Sequence, residues 1–218
     1  MLVKDCMTRH PIMISPETPA AEAQQIMAEN QIRHLPVVGG GKRLLGLITR
    51  QRLALKPDEL GSLNIWEISR RLSDMKAQKI MLPAAQVYTI DTDKTVERAA
   101  RIMTDHKVGC LPVIDEDVVV GILTETDLLK SFQIMLGLPA EGVRVTVRMP
   151  GGVGIFTQVI VAISEKGWPI MGLGSFPTRK QPGYWDTVFK IAGVGTEEVE
   201  AVISSVPEQE IVDIREVV

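Results

Sequence analysis

Short apolar runs alternate along the chain with stretches in which apolar residues recur every three or four positions, so strands and helices should alternate too. Ile12–Ile14, Leu35–Val38 and Leu44–Ile48 are predicted strands, and a helix between the first two presents Ala23, Ile26 and Met27 on one face. Thr18 is its expected N-cap, with Pro19 at the first helical position, where a missing N–H costs nothing. The same order returns further on, with strands at Val87–Ile90, Leu111–Ile114 and Val119–Leu123 and a helix face of Ala99, Ile102 and Met103. Between the two blocks, residues 55–80 carry Ile65, Ile68, Leu72 and Met75 at helical spacing. That fits a helix packing across the two blocks, or one that binds a partner.

After Gly137-Leu138-Pro139 the pattern changes. "VRVTVRM" alternates as a strand, "GGVGIFTQVIVAISEKG" is helical, "PIMGLGSF" and "YWDTVFKIAG" are strands, "TEEVEAVISSV" is helical and "EIVDIREVV" is a strand. The order βαββαβ is that of the ferredoxin-like split βαβ motif. Thr196, followed by Glu197 and Glu198, is the expected start of its second helix.

The two earlier blocks are copies of each other. "IMISPETPAAEAQQIMAENQIRHLPVV" (12–38) aligns with "VYTIDTDKTVERAARIMTDHKVGCLPVI" (87–114), placing Ile14 on Ile90 and Leu35-Pro36 on Leu111-Pro112. The register shifts by one residue in the next turn, so that Gly46 and Thr49 meet Gly121 and Thr124. A half-open sheet repeated in tandem needs its partner, so the copies should pack face to face about a pseudo-twofold axis.

Bulk chemistry narrows the function classes. With 218 residues, 45% hydrophobic and 23% charged, the chain has the composition of an ordered soluble protein. A net charge of -3 and a pI near 5.7 leave no basic footprint for nucleic acid. No apolar run reaches the roughly 20 residues of a membrane helix, and the first residues lack the core of a signal peptide. A cytoplasmic protein is expected, with no membrane partner. Cys6 and Cys110 are far apart and outside any CxxC pattern, so they are expected to be reduced thiols and not zinc ligands. His10, His34 and His106 lie in different elements, no hydrolase or zincin motif occurs, and "MPGGVG" lacks the Lys-Ser/Thr of a P-loop. An enzyme is not expected.

The chemistry concentrates where the third strand of each copy meets its second helix. In "GILTETDLL" (121–129), Thr124 marks a helix start with free N–H groups and a positive dipole end, which suits a phosphate. Asp127, one turn on, can accept two hydrogen bonds from a ribose diol. The same T-x-x-D is equally a capping box that serves only the helix. In copy one the phrase becomes "GLITRQRLA" (46–54), with Arg52 in place of the acid and Arg50 beside it. Guanidinium only donates, so it cannot hold a ribose diol, but it can hold phosphate.

Two LPV strands, each followed by a strand ending in G-h-h-T-x-x-D or its variant, resemble the tandem cystathionine-β-synthase (CBS) domain pair, or Bateman module. "VRVTVRMPGGVGIFTQVIVAISEKGWPI", with its PG turn, resembles an ACT domain, and the order CBS–CBS–ACT is similar to the acetoin-utilisation B-type regulatory proteins. The resemblance implies an α/β (α+β) chain with two βαββα repeats at 1–56 and 76–136, a connecting helix at 57–75, a linker at 137–142 and an ACT-like domain at 143–218. It implies no tightly bound cofactor and an adenosyl ligand, with AMP, ADP, ATP, NAD and S-adenosylmethionine as candidates. In copy two the ligand would meet Thr89, Val108, Gly109, Cys110, Leu111 and Pro112 together with Thr124 and Asp127. Core packing is the competing role of Leu111 and Pro112, as it is of Leu35 and Pro36 in copy one. Copy one offers Met13, Ile32, Arg33, His34, Leu35, Pro36, Thr49, Arg50 and Arg52. There the site is either degenerate or a source of phosphate contacts.

The ACT resemblance has departures. ACT sites commonly carry an acid before the PG turn and an Asn after the helix, whereas this chain has Arg148-Met149 and Trp168-Pro169. A dimerisation sheet is therefore the alternative to an effector site. The expected whole is a homodimeric regulatory sensor whose occupancy is passed to a partner, such as a regulated enzyme, or to the ACT-like domain. A structural protein with lost sites and a small nucleotide-acting enzyme are the alternatives.

Overall fold

The computed structural model describes residues 1–53, 74–179 and 181–217, and the chain divides into two compact units, Met1–Leu128 and Leu129–Val218. The expected connecting helix, with Ile65, Ile68 and Leu72, lies outside the described residues; Met75 at its end is described and packs on the core of copy one.

In the first unit each copy builds a small sheet. Copy one contributes α1 (Val3–Cys6), β1 (Thr8–Arg9), α2 (Ala20–Glu29), β2 (His34–Val38), β3 (Leu44–Thr49) and α3 (Arg50–Leu53). Copy two contributes α4 (Ala77–Ile80), β4 (Leu82–Pro83), β5 (Ile90–Asp91), α5 (Val96–His106), β6 (Cys110–Asp115), β7 (Val118–Thr124) and α6 (Glu125–Met135), whose C-terminal part belongs to the second unit. Hairpins β2–β3 and β6–β7 are antiparallel and in matching register, Pro36 opposite Leu47 and Pro112 opposite Ile122.

The first strands are crossed between the copies. β1 pairs with β7 of copy two, Thr8 opposite Ile122, while β4 pairs with β3 of copy one, Leu82 opposite Leu47. Val3 accordingly packs in the core of copy two and Ala77 in that of copy one, both fully buried. The repeat therefore extends over residues 3–9 and 77–83, where "VKDCMTR" and "AQKIMLP" share only a methionine. The recurring glycine has its reason in this crossing. A Cβ on Gly46 would stand 2.5 Å from the Leu82 carbonyl and 2.6 Å from Met81 Sδ, and one on Gly121 2.4 Å from Met7 Sδ. Only a bare backbone lets the crossed arm lie flat.

Helices bury the sheet faces as their periodicity requires. Ala20, Ala23 and Met27 of α2 are buried against Leu35, Val37 and Ile48, while Ala99 and Met103 of α5 are buried against Leu111, Val113 and Leu123. Ile26 and Ile102 pack at the margins. Fully burying a leucine, isoleucine, valine or methionine, as at Leu35, Ile48, Leu111 and Leu123, contributes about 1.5–3 kcal/mol each. A third cluster, Leu47 with Cys110 and Ile122, joins the copies across their pseudo-twofold.

Several local expectations change. Ile12–Ile14 is not a strand: only Ile14 forms a bridge, parallel to Val37, and in copy two β5 covers only Ile90–Asp91 instead of Val87–Ile90. Pro19, and not Thr18, is the cap of α2, because the Ala20 N–H donates to the Met75 carbonyl at 2.7 Å instead of to a side chain. Thr95 does cap α5, accepting from the Arg98 N–H.

In the second unit β8 (Gly142–Pro150), α7 (Ile155–Glu165), β9 (Ile170–Pro177), β10 (Tyr184–Ile191), α8 (Thr196–Ser204) and β11 (Glu210–Val217) follow the predicted βαββαβ order. The sheet runs β11-β8-β10-β9, antiparallel throughout, which is the split βαβ arrangement. Val143, Val145, Val147, Phe189 and Ile191 bury one face of it against Val159, Ile163, Val199 and Ile203 of the two helices. The cap of α8 is Gly195, whose N–H donates to Glu198 Oε2 at 3.2 Å, so Thr196 is the first helical residue and not the cap. Residues 137–142, expected to be a linker, fall within this unit, where Leu136 and Gly137 lie so close to Gly172 that a Cβ there would meet backbone at 2.3 Å.

Candidate functional site

The crossing of the copies sets two equivalent clefts into the first unit. The first, of about 410 Å3, is lined by Thr8, His10, Pro11, Ile12, Asn30 to His34, Ile122, Thr124, Thr126 and Asp127. The second, of about 590 Å3, is lined by Leu82, Gln86, Val87, Tyr88, Lys107 to Cys110, Leu47, Thr49, Arg50, Gln51 and Glu125, with Arg33 and His34 entering from the side. Position by position the linings correspond: Ile12 to Tyr88, Ile32 to Val108, Thr124 to Thr49, Thr126 to Gln51. Both volumes suit a small ligand.

Each cleft takes its apolar wall from one copy and its helix start from the other. The residue set expected for copy two is therefore divided. Thr124 and Asp127 face Ile12, Ile32, Arg33 and His34 of copy one, while Val108, Gly109 and Cys110 face Thr49 and Arg50. Met13 and Thr89 line neither cleft, because the segments before Ile14 and Ile90 are irregular and present Ile12 and Tyr88 instead. Leu35, Pro36, Leu111 and Pro112 are buried in the hairpins and also line neither, which fits their core role. Tyr88 was not picked out by sequence reasoning; its ring stacks on His106 with centroids 3.9 Å apart and presents an aromatic wall. An exposed aromatic beside an apolar run was its only signal.

At the start of α6 the capping box is formed. Asp127 Oδ2 accepts from the Thr124 N–H at 2.8 Å and from Thr124 Oγ1 at 2.7 Å, and the Asp127 N–H donates weakly to Thr124 Oγ1 at 3.4 Å. The Glu125 N–H donates to the Gly109 carbonyl at 3.2 Å. The N–H groups of Thr124, Glu125 and Asp127, expected to be open for phosphate, are thus satisfied within the protein, the first because a carboxylate at the third helical position folds back on the helix start. In copy one the Arg50 N–H donates to the Arg33 carbonyl in the same way, at 2.9 Å. Arg52 leaves the cleft and donates to the Ile80 carbonyl at 3.2 Å, so of the two arginines expected near phosphate only Arg50 lines a cleft.

Electrostatics differ between the clefts. The second gathers Arg33, Arg50 and Lys107 around Glu125. Cys110, at its floor, has its thiol pushed up to about 12 by burial and then by Glu125. His34 is held below the ordinary imidazole range by burial and by Arg33, with Glu125 acting the other way. Among the described residues no cluster of His, Cys, Asp or Glu could hold a metal ion, and no helix is long and apolar enough to cross a membrane.

In the second unit, Met149, Pro150, Gly151, Gly152, Val153, Phe156, Ser175, Trp185 and Thr187 line a slot of about 440 Å3. Arg148, which stands where ACT sites carry an acid, makes a two-pronged pair with Asp186, Nε to Oδ1 at 2.8 Å and Nη2 to Oδ2 at 3.0 Å. It is engaged on the sheet.

Comparisons with known proteins agree with this geometry. Residues 3–57 and 77–134 match the CBS domain, together more than half of the chain. The chain is 30% identical over 129 residues to a homoserine O-acetyltransferase of Methanocorpusculum labreanum, and 31% identical over 134 residues to the uncharacterized protein MJ1225 of Methanocaldococcus jannaschii. These alignments take in 59% and 60% of this chain but only 23% and 47% of those proteins, so the chain spans half or less of the length of the relatives it matches. The catalytic name stays with the acetyltransferase. Among solved structures, the protein named AcuB, of Vibrio cholerae, superposes with a TM-score of 0.51 at 30% identity, covering 61% of this chain and 90% of that one. The CBS domain pair of protein MJ0100, solved with 5'-methylthioadenosine and S-adenosyl-L-methionine, gives a TM-score of 0.50 at 28% identity, covering 61% and 95%. The crossed repeats, their paired clefts and the double match place this chain in the CBS-domain family, as a tandem CBS pair, which is a regulatory module and not a catalytic one.

Proposed function

We propose that the chain is a regulatory sensor that binds an adenosyl ligand in the cleft lined by Thr124 and Asp127. One observation carries the reading: Asp127, one turn into its helix, lines this cleft across from an apolar wall, Ile12 and Ile32, whereas its counterpart Arg52 does not line the other cleft and donates to the Ile80 carbonyl. A carboxylate offers two acceptors to a ribose diol, and an apolar wall suits the face of a base. The protein MJ0100, similar in fold and sequence, was solved with two adenosyl ligands, which supports the same ligand class here. AMP, ADP, ATP, NAD and S-adenosylmethionine are the compounds to test. Ligand affects the module only through differential affinity for two arrangements of it.

The second unit extends the reading. Its sheet order and PG turn support an ACT-like domain that dimerises or binds an effector in the slot beside Trp185, in a cytoplasmic homodimer that controls an enzyme partner. A second reading has one observation in its favour: Asp127 already serves as a helix cap, so the module could be structural and bind nothing. Thermal unfolding with each compound decides between them. A ligand at 100 times its Kd adds about 2.7 kcal/mol of stability, and no shift with any of the five refutes the sensor reading.

A further inference from the structure

One imidazole stands in the walls of both clefts. His34 lines the cleft with Thr124 and Asp127 and also the one with Thr49 and Arg50, whereas its counterpart Cys110 lines only the latter. Gly109 lies beside the ring. His34 Cε1 lies 3.8 Å from where a Cβ on Gly109 would be, and Glu125 Oε2 lies 3.4 Å from the same point. The ring and the Glu125 carboxylate thus both stand beside Gly109, which lines the second cleft. The charged and titratable groups that share its two clefts come from every neighbouring element: His10 after β1, Arg33 before β2, Arg50 on α3, Tyr88 before β5, Lys107 after α5, Cys110 on β6, and Glu125 and Asp127 on α6. Burial and then Arg33 hold the ring below the ordinary imidazole range in the free protein, which favours its neutral form, with Glu125 acting the other way.

We infer that His34 selects ligands by charge, favouring an adenosyl ligand that carries a phosphate over an uncharged one by taking up a proton as the anion binds. The inference rests on the adenosyl reading given above. A phosphate beside the imidazole supplies negative potential and acceptor oxygens, and both favour the imidazolium. Binding that raises a pKa is tightened by protons in the window between the free and the bound values. Affinity for AMP then rises as pH falls through that window, by up to about tenfold per pH unit. Adenosine, which lacks the phosphate, shows no such slope.

The experiment is calorimetric titration of the whole chain with AMP and with adenosine from pH 8 to pH 6, for wild type and His34→Gln. Because the AMP phosphate itself titrates, the quantity read is the ratio of wild-type to variant affinity. That ratio is expected to rise several-fold toward pH 6 with AMP and to stay level with adenosine. A level ratio with AMP, or a slope shared by adenosine, overturns the inference while leaving an adenosyl site in place. If neither compound binds wild type, this inference fails, and the adenosyl reading falls with it only when ADP, ATP, NAD and S-adenosylmethionine also fail to bind. An NMR titration of the wild-type His34 ring keeps the test independent of the variant's folding. The ring's pKa must rise when AMP is added, and an unchanged pKa overturns the proposal.

Discussion

Replacing Asp127 by alanine separates its two roles, because each has its own observable. As a cap, Asp127 accepts the Thr124 N–H at 2.8 Å and the Thr124 hydroxyl at 2.7 Å. Removing such a cap costs about 1 kcal/mol of stability, within a range of about 0.5–2. As a ribose acceptor it would make hydrogen bonds to a charged group, worth about 1.5–3 kcal/mol, so its loss weakens AMP about 10- to 150-fold. Urea unfolding measures the first effect and calorimetric titration the second. Both losses are expected together. A variant that loses about 1 kcal/mol of stability yet binds AMP as wild type does would leave Asp127 a cap and remove it from the ribose. A variant that loses neither would refute the cap as well.

Other outcomes follow from the packing. Gly46→Ala and Gly121→Ala each force a methyl into a crossed arm, and overpacking of this kind costs about 1–3 kcal/mol; a urea midpoint unchanged from wild type would contradict the close approach. Leu47→Ala empties the cluster that joins the copies, at a cost of about 2–5 kcal/mol read from the same curves. Cys110, with its thiol pushed up to about 12, should resist iodoacetamide at pH 8 until the protein is unfolded, as mass spectrometry of the labelled chain would show. The sign of its pH linkage follows. The unfolded chain ionises this thiol near pH 9 while the folded one does not, so above pH 9 stability falls by about 1.4 kcal/mol per pH unit, and a Cys110→Ala variant escapes that part of the loss.

The doubled phrase in the sequence revealed the tandem repeat because hairpins β2–β3 and β6–β7 are long enough to show alternation, and the βαββαβ order of the second unit was legible for the same reason. The arms were not legible. β1 and β4 are two residues long, below any period, and their partners lie in the other copy, a choice that only tertiary packing makes. That crossing also divides the site residues of one copy between two clefts. Gly109 and Asp127 are neighbours in the motif but face different clefts. Ile12 and Tyr88 replaced Met13 and Thr89 because an irregular segment does not obey the strand rule that alternate residues face one side. Arg52, the odd residue of copy one, reads in the sequence as either part of a degenerate site or a phosphate contact, and in the fold it donates to the Ile80 carbonyl.

The central claim is that a ligand is shared between copies, its ribose held by copy two and its base by copy one. A crystal structure of the chain with AMP tests this most directly. The ribose diol is expected on Asp127 with adenine against Ile12 and Ile32. Adenine found against Tyr88 and Val108 instead, with the ribose away from Asp127, would contradict it.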